Sequence, residues 1–377
     1  MSAAKQYRLI VFAVSLIIAL SALGCANRQP VKVAFVAGLT GRQSDIGVAG
    51  RNGAVLAVEE MNKAGGILGR PVELIVKDDK NDPNVVRAVD EELVRAEVEI
   101  IIGHMTSAAA VAALPVVADG KALIISPTAR ADILSGRDDL FISVMPPLKV
   151  SADHQAMYAI NKLGLKQMVV VYDLSNPDFS QAWADAFAAK YEEMGGKVIA
   201  KVAFTSGSGV PYERLTKDVA AYRPEGVLLV ASAVDAAMLS QWIRKSQLTV
   251  PLLSSSWGMT ADFIYHGGQA VEGVIFSSPF IPDDRGQAYN QFVSKYQERF
   301  GSQPNFAAAY GYEAAQVALA GMKKAGNNKA QAVKNAIIAQ SQFPGIRSDI
   351  AINATGDASR ECWMVTVKNG QFVTLDY

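Results

Sequence analysis

The chain has 377 residues, half of them apolar and 19% charged, with 36 basic and 36 acidic side chains. That length suits roughly two domains of ~150 residues each, and the composition is that of a globular protein rather than a disordered one. Zero formal charge and the lack of any long run of like charge argue against a basic nucleic-acid face or a charged interaction tail.

The first element reads as an export signal. Lys5 and Arg8 precede an uncharged apolar run, Leu9 to Leu20, shorter than the ~20 residues a membrane-spanning helix needs. The small residues Ser21, Ala22 and Gly24 follow, so residues 1–24 are expected to be a cleaved signal peptide. The segment Leu20-Ser-Ala-Leu-Gly-Cys25 resembles the lipobox of bacterial lipoproteins, which implies a lipid on Cys25. Ala22 departs from that pattern, which prefers Leu there, and plain cleavage near Ala26 is the alternative. The expected location is periplasmic or cell-surface, with a tether through Cys25. The other cysteine, Cys362, falls in a predicted strand as a buried small hydrophobe. Neither a metal site nor a redox pair can be built from these two cysteines.

Beyond the signal, strands and helices alternate. Val31–Val36 is a nearly continuous apolar run, the pattern of a strand covered on both faces. Ala49 to Met61 has helical spacing, with Ala54, Ala57, Val58 and Met61 on one face, and the glycine-rich loop through Gly69 ends it. Strand Val72–Val76 follows, and Asp82-Pro83 supplies the cap and first turn of a helix running to Leu93. Strand Ile100–Gly103, a helix from Ser107 and strand Leu123–Ser126 complete a first set. A second set begins with helix 151–163. It continues with strands Met168–Tyr172, Val198–Phe204, Val227–Val230 and Leu252–Ser254, separated by helices Phe179–Met194, Tyr212–Ala221 and Ala236–Lys245. Such alternation predicts an α/β fold of two doubly wound lobes with parallel sheets. The proline-bearing segments Ser143–Pro147 and Phe276–Pro282 read as crossovers between them. Helices 285–300, 305–325 and 328–339 follow, then strands Ile350–Ile352 and Trp363–Val367, with Asn369-Gly370 as a turn signal after the last.

Ligands of open α/β sheets bind beyond the carboxyl ends of strands. The candidate site is therefore the loops Gly38–Gly47, His104–Ser107, Pro127–Arg130, Leu174–Phe179, Ala231–Asp235 and Ser254–Gly258. Enzyme motifs are missing: no GxSxG elbow, no Walker loop and no GxGxxG after the first strand. His104, His154 and His266 have no metal-ligand spacing; His104, ending a strand, is open to a structural role or that of a base. Asp78-Asp79 looks like a metal pair, yet adjacent residues on a strand point to opposite faces. No catalytic residue, metal or cofactor is expected.

Five segments together resemble the branched-chain amino acid binding proteins of the type I periplasmic fold. They are Gly41 through Gly53, Asn62-x-x-Gly65-Gly66-Ile67-x-Gly69-Arg70, Asp78-Asp79 with Pro83, Ile101-Ile102-Gly103-His104 with Ser107, and Ser126-Pro127-Thr128-Ala129. The resemblance spans residues 31–377. It implies two lobes on three crossovers, with 31–146 plus 278–355 as one lobe and 147–277 plus 356–377 as the other, and a ligand cleft between them. It implies that Ser107 holds a ligand carboxylate, that Thr128 makes a backbone contact and that Phe179 covers the ligand from the second lobe. Arg130 stands where the family often has Thr, either turned outward or gripping the carboxylate. Ile46 joins the candidate set. The acid with which amino-acid binders hold the ammonium is replaced here by Trp257. Asp235 is a substitute for it or the N-cap of helix 236–245. The implied function is capture of a small amino acid or organic acid for an ABC membrane permease, with a ligand-sensing receptor as the alternative.

Overall fold

The computed structural model describes residues 29–375 except Arg42, Ser208, Asp284 and Arg285. The signal segment and Cys25 lie outside the described residues. The first sheet comprises β1 (Val31–Ala37), β2 (Val72–Asp78), β3 (Ile100–Gly103), β4 (Leu123–Ser126) and β5 (Phe141–Ser143), all parallel in the order β2-β1-β3-β4-β5. Every residue of β3 and β4 is buried, because helices cover both faces, and this is why these strands read as unbroken apolar runs. The helices are α1 (Ser44–Lys63), α2 (Pro83–Arg95), α3 (Ser107–Ala112) and α4 (Leu114–Ala118). Asp82 caps α2 as expected, accepting from the Asn84 and Val85 amides, with Pro83 in the first turn.

The second sheet opens with β6 (Gln167–Asp173), β7 (Lys197–Phe204), β8 (Gly226–Val230), β9 (Leu252–Ser255) and β10 (Ile275–Ser278), again parallel. Its helices are α5 (Leu148–Asn161), α6 (Pro177–Glu193), α7 (Tyr212–Ala221), α8 (Ala233–Lys245) and α9 (Ala261–Gly267). The chain then returns. Of α10 (Gln287–Phe300), α11 (Phe306–Ala325) and α12 (Ala330–Gln340), α10 packs on α1, α11 on α1, β3 and β4, and α12 on β4. A small antiparallel sheet of β11 (Gln342–Phe343), β12 (Ile350–Ile352) and β13 (Ala358–Ser359) follows. Finally β14 (Trp363–Lys368) joins β10 antiparallel, and β15 (Gln371–Thr374) pairs with β14, giving the order β15-β14-β10-β9-β8-β6-β7.

Three strands of chain thus cross between two lobes, after β5, β10 and β13. Arg360 pins the third crossing to the first, donating through Nε to the Val144 carbonyl at 2.7 Å and pairing with Glu313 of α11 at 2.6 Å. Three differences from the sequence reading matter. Helix α1 starts at Ser44 rather than Ala49, which puts Ile46 on a helix. The Asn369-Gly370 turn does not end the sheet but closes a hairpin onto β15. Helix α5 begins at Leu148, directly after Pro147, so the crossover is shorter than a start at 151 implied.

Candidate functional site

The carboxyl ends of both sheets converge on one small cavity between the lobes, a place where small-molecule sites recur. The first lobe contributes Ile46 from α1, Met105, Thr106 and Ser107 where β3 runs into α3, and Thr128 and Arg130 after β4. The second contributes Asn176 and Phe179 at the start of α6, and Ser256 and Trp257 after β9. Met145 on the first crossing and Phe306 at the start of α11 complete the wall. Six of the seven predicted contacts, Ile46, Ser107, Thr128, Arg130, Phe179 and Trp257, therefore meet in one place.

Arg130 turns inward and is 3% exposed. Its Nη1 donates to Ser151 Oγ at 3.1 Å and its Nη2 to Ser256 Oγ at 3.0 Å, both on the second lobe. Its guanidinium lies 5.7 Å from the Phe179 ring centroid and 5.4 Å from that of Trp183, a cation–π arrangement. The Nε has no partner. Burial pulls the guanidinium pKa below its ordinary value, opposed by the Cys362 thiol and the Tyr310 phenol. A desolvated cation bonded only to neutral hydroxyls is costly until an anion joins it. Cys362 itself is tucked against Ser151 Oγ at 3.2 Å, and burial pushes its thiol pKa up.

Ser107 is 2% exposed and its Oγ accepts from the Arg130 amide at 3.1 Å, which leaves the hydroxyl proton available to a bound acceptor. The cap of α3 is Thr106 rather than Ser107. Thr128 Oγ1 donates to the Met105 carbonyl and so braces the loop. Phe179 and Trp257 meet edge to face, with centroids 5.8 Å apart and planes at 81°, and Phe179 stands 5.4 Å from Trp183. They form an aromatic corner on the second lobe. Asn176, Ser256, Met105 and Thr106 lie in loops the sequence pointed to without being singled out. Met145 and Phe306 come from a crossover and from a helix far along the chain, where no sequence signal marks them.

Asp235 is not among the lining residues. It is fully buried in the first turn of α8, where it accepts from Ser206 Oγ at 2.5 Å, Tyr212 OH at 2.5 Å and Ser232 Oγ at 2.8 Å. It does not cap the helix either: Ser232, with extended backbone, is the N-cap and accepts from the Asp235 amide. His104 is also absent from the cavity wall. Its Nδ1 sits 2.7 Å from Asp79 Oδ2 and its Nε2 3.3 Å from Asp90 Oδ2, all three side chains fully buried. Desolvation pulls the imidazolium pKa down, but the charge of Asp90 and the hydrogen bonds the ring donates to both aspartates outweigh it and raise the pKa to about 10. Asp78 faces the other way, accepting from the Leu39 amide at 2.8 Å and Thr40 Oγ1 at 2.7 Å. The two aspartates diverge, as strand geometry requires.

Further bonds join the lobes around the cavity. Gln43 Nε2 donates to Ser175 Oγ at 2.9 Å, the Ala108 amide to Asn176 Oδ1 at 3.0 Å, and Thr260 Oγ1 to Asp45 Oδ2 at 2.8 Å. These three bonds act as latches that hold the two lobes together.

The model of a family described as periplasmic binding protein matches residues 30–371. A Leu/Ile/Val-binding protein of Rhizobium johnstonii is 25% identical over 347 residues, covering 88% of this chain and 89% of the relative. The crystal structure of a leucine-binding protein from Thermotoga maritima superposes with a TM-score of 0.85 at 26% identity, covering 92% of this chain and 98% of that one. The solute-binding protein of an ABC transporter from R. palustris, solved with benzoate, superposes with a TM-score of 0.82 at 21% identity, covering 92% and 96%. Because the match runs through both lobes and all three crossings, the chain belongs to the periplasmic binding protein family.

Proposed function

We propose that the protein is the extracytoplasmic solute-binding component of an ABC transporter and captures a small carboxylate-bearing solute by lobe closure. The observation that carries this reading is Arg130: a buried cation in the interlobe cavity, bonded to both Ser151 and Ser256 of the opposite lobe, with its Nε unpartnered. A carboxylate there gains charge-assisted hydrogen bonds of about 1.5–3 kcal/mol each, and Ser107 stands beside it as a hydroxyl donor. The likeness to binding proteins for leucine and for benzoate supports a small acid as cargo. The moving bodies in this reading are 31–146 plus 278–355 and 147–277 plus 356–377. The protein binds without catalysis and delivers to a membrane permease. Export by the leader 1–24, with a lipid on Cys25, places it at the periplasmic or outer cell surface.

The test is a thermal-shift screen of small carboxylates against uncharged sugars and amides. A carboxylate at about one hundred times its Kd adds about 2.7 kcal/mol of stability and raises the melting temperature by several degrees. Stabilisation by uncharged solutes alone overturns the reading. Incorporation of labelled fatty acid into wild type but not into Cys25→Ala tests the anchor.

A further inference from the structure

Resting on that reading of the cavity, we infer that the site selects carboxylates that carry no ammonium group and rejects α-amino acids of the same carbon skeleton. Among the described lining residues Arg130 is the only charged side chain. The rest are hydroxyls, one amide, two thioethers, aromatic rings and one branched aliphatic chain. An acid without an ammonium leaves the filled cavity neutral: one guanidinium, one carboxylate. A zwitterion brings its own cation as well, so the filled cavity keeps a net positive charge, and the ammonium sits in a desolvated space with no carboxylate to meet it.

Neither Asp45 nor Asp235 relieves this. Asp45, beside Ile46, is turned to Thr260, and burial raises its pKa, which weakens it as a counter-ion. Asp235 is committed to three hydroxyls outside the cavity. Arg130 itself feels no carboxylate among its charge partners, so the charge it lacks must come with the ligand. The rings of Phe179 and Trp257, set edge to face, both line the cavity, and this aromatic surface favours planar acids such as benzoates within this class.

The experiment is calorimetry on the mature chain, refolded from guanidinium chloride to strip retained solute, with matched ligand pairs: 3-phenylpropanoate against phenylalanine, and 4-methylpentanoate against leucine, with benzoate as the planar probe. The expected result is at least tenfold tighter binding of the acid than of the amino acid in each pair that binds. Equal or tighter binding of an amino acid overturns the inference and leaves the carboxylate-binding function standing. Binding of none of the five overturns both. In the same series Arg130→Met is expected to lose at least tenfold in affinity for the acid. Retained affinity in a folded Arg130→Met protein removes Arg130 as the selecting group, and the wild-type pairs decide the class even where this variant fails to fold.

Discussion

Asn176 Oδ1 accepts the backbone amide of Ala108 at 3.0 Å, so a buried side chain of one lobe holds the first turn of a helix in the other. The same asparagine lines the cavity. Closure and ligand capture are therefore shared tasks of one residue, and lobe opening must break this bond. A neutral hydrogen bond of this kind contributes about 1 kcal/mol net. Asn176→Ala is expected to weaken ligand affinity roughly fivefold and to leave the melting temperature of the unliganded protein near wild type. X-ray scattering should show a more open average form. An unchanged Kd together with unchanged scattering sinks the latch.

The aromatic corner makes a separate prediction. Phe179→Leu keeps an apolar side chain of similar bulk but removes the ring that faces Trp257 and the Arg130 guanidinium. Loss of the aromatic pairing is expected to cost about 0.5–1.5 kcal/mol, a two- to tenfold rise in Kd for an aromatic acid. An aliphatic acid should be affected less. Equal losses for both would mean that the ring fills space and does not recognise a flat face.

The parallel strands were legible because burial on both faces writes itself as continuous apolar runs, as in Ile100–Gly103 and Leu123–Ser126. The site was legible at the level of loops, since strand carboxyl ends must carry it. Side-chain direction was not. Nothing local distinguishes an Arg130 turned into the cleft from one turned to water, and only the serines at 151 and 256, far along the chain, reveal it. Asp235 shows the converse. Its place after β8 suggested the cleft, but hydroxyls from three different segments draw it into the body of the lobe. The β11–β13 sheet escaped notice in part because its two- and three-residue strands are too short for a period to register.

Helices α1 and α11 approach so closely that a Cβ on Gly53 would lie 2.0 Å from the Ala308 carbonyl oxygen and 2.7 Å from the Tyr312 amide nitrogen. Both are backbone atoms inside a helix and cannot yield singly. Helix propensity alone predicts that Gly53→Ala stabilises by about 1 kcal/mol. The close approach predicts the opposite sign, with overpacking costs of about 1–3 kcal/mol. Urea unfolding decides between them: a lower midpoint is expected, and a midpoint at or above wild type refutes the tight contact.

His104 sets the last prediction. Its ring is held between Asp79 and Asp90, and its pKa in the folded protein is about 10 against an ordinary 6.5. A raised folded-state pKa means that the folded protein keeps a proton the unfolded chain releases. The stabilisation is therefore complete below about pH 6.5, falls by up to about 1.4 kcal/mol per unit between the two pKa values, and is gone above about pH 10. His104→Gln removes the charge and retains polar hydrogen-bonding groups. Unfolding free energies at pH 6, 8 and 9.5 should show wild type losing stability steeply with rising pH while the variant, less stable at pH 6, changes less, so that the two curves converge. Groups out of contact with the ring titrate in both proteins alike and cancel in the difference. Parallel curves across that range would mean that the ring between the two aspartates is neutral, and the buried triad would then have to be read as a hydrogen-bonded brace without net charge on its histidine.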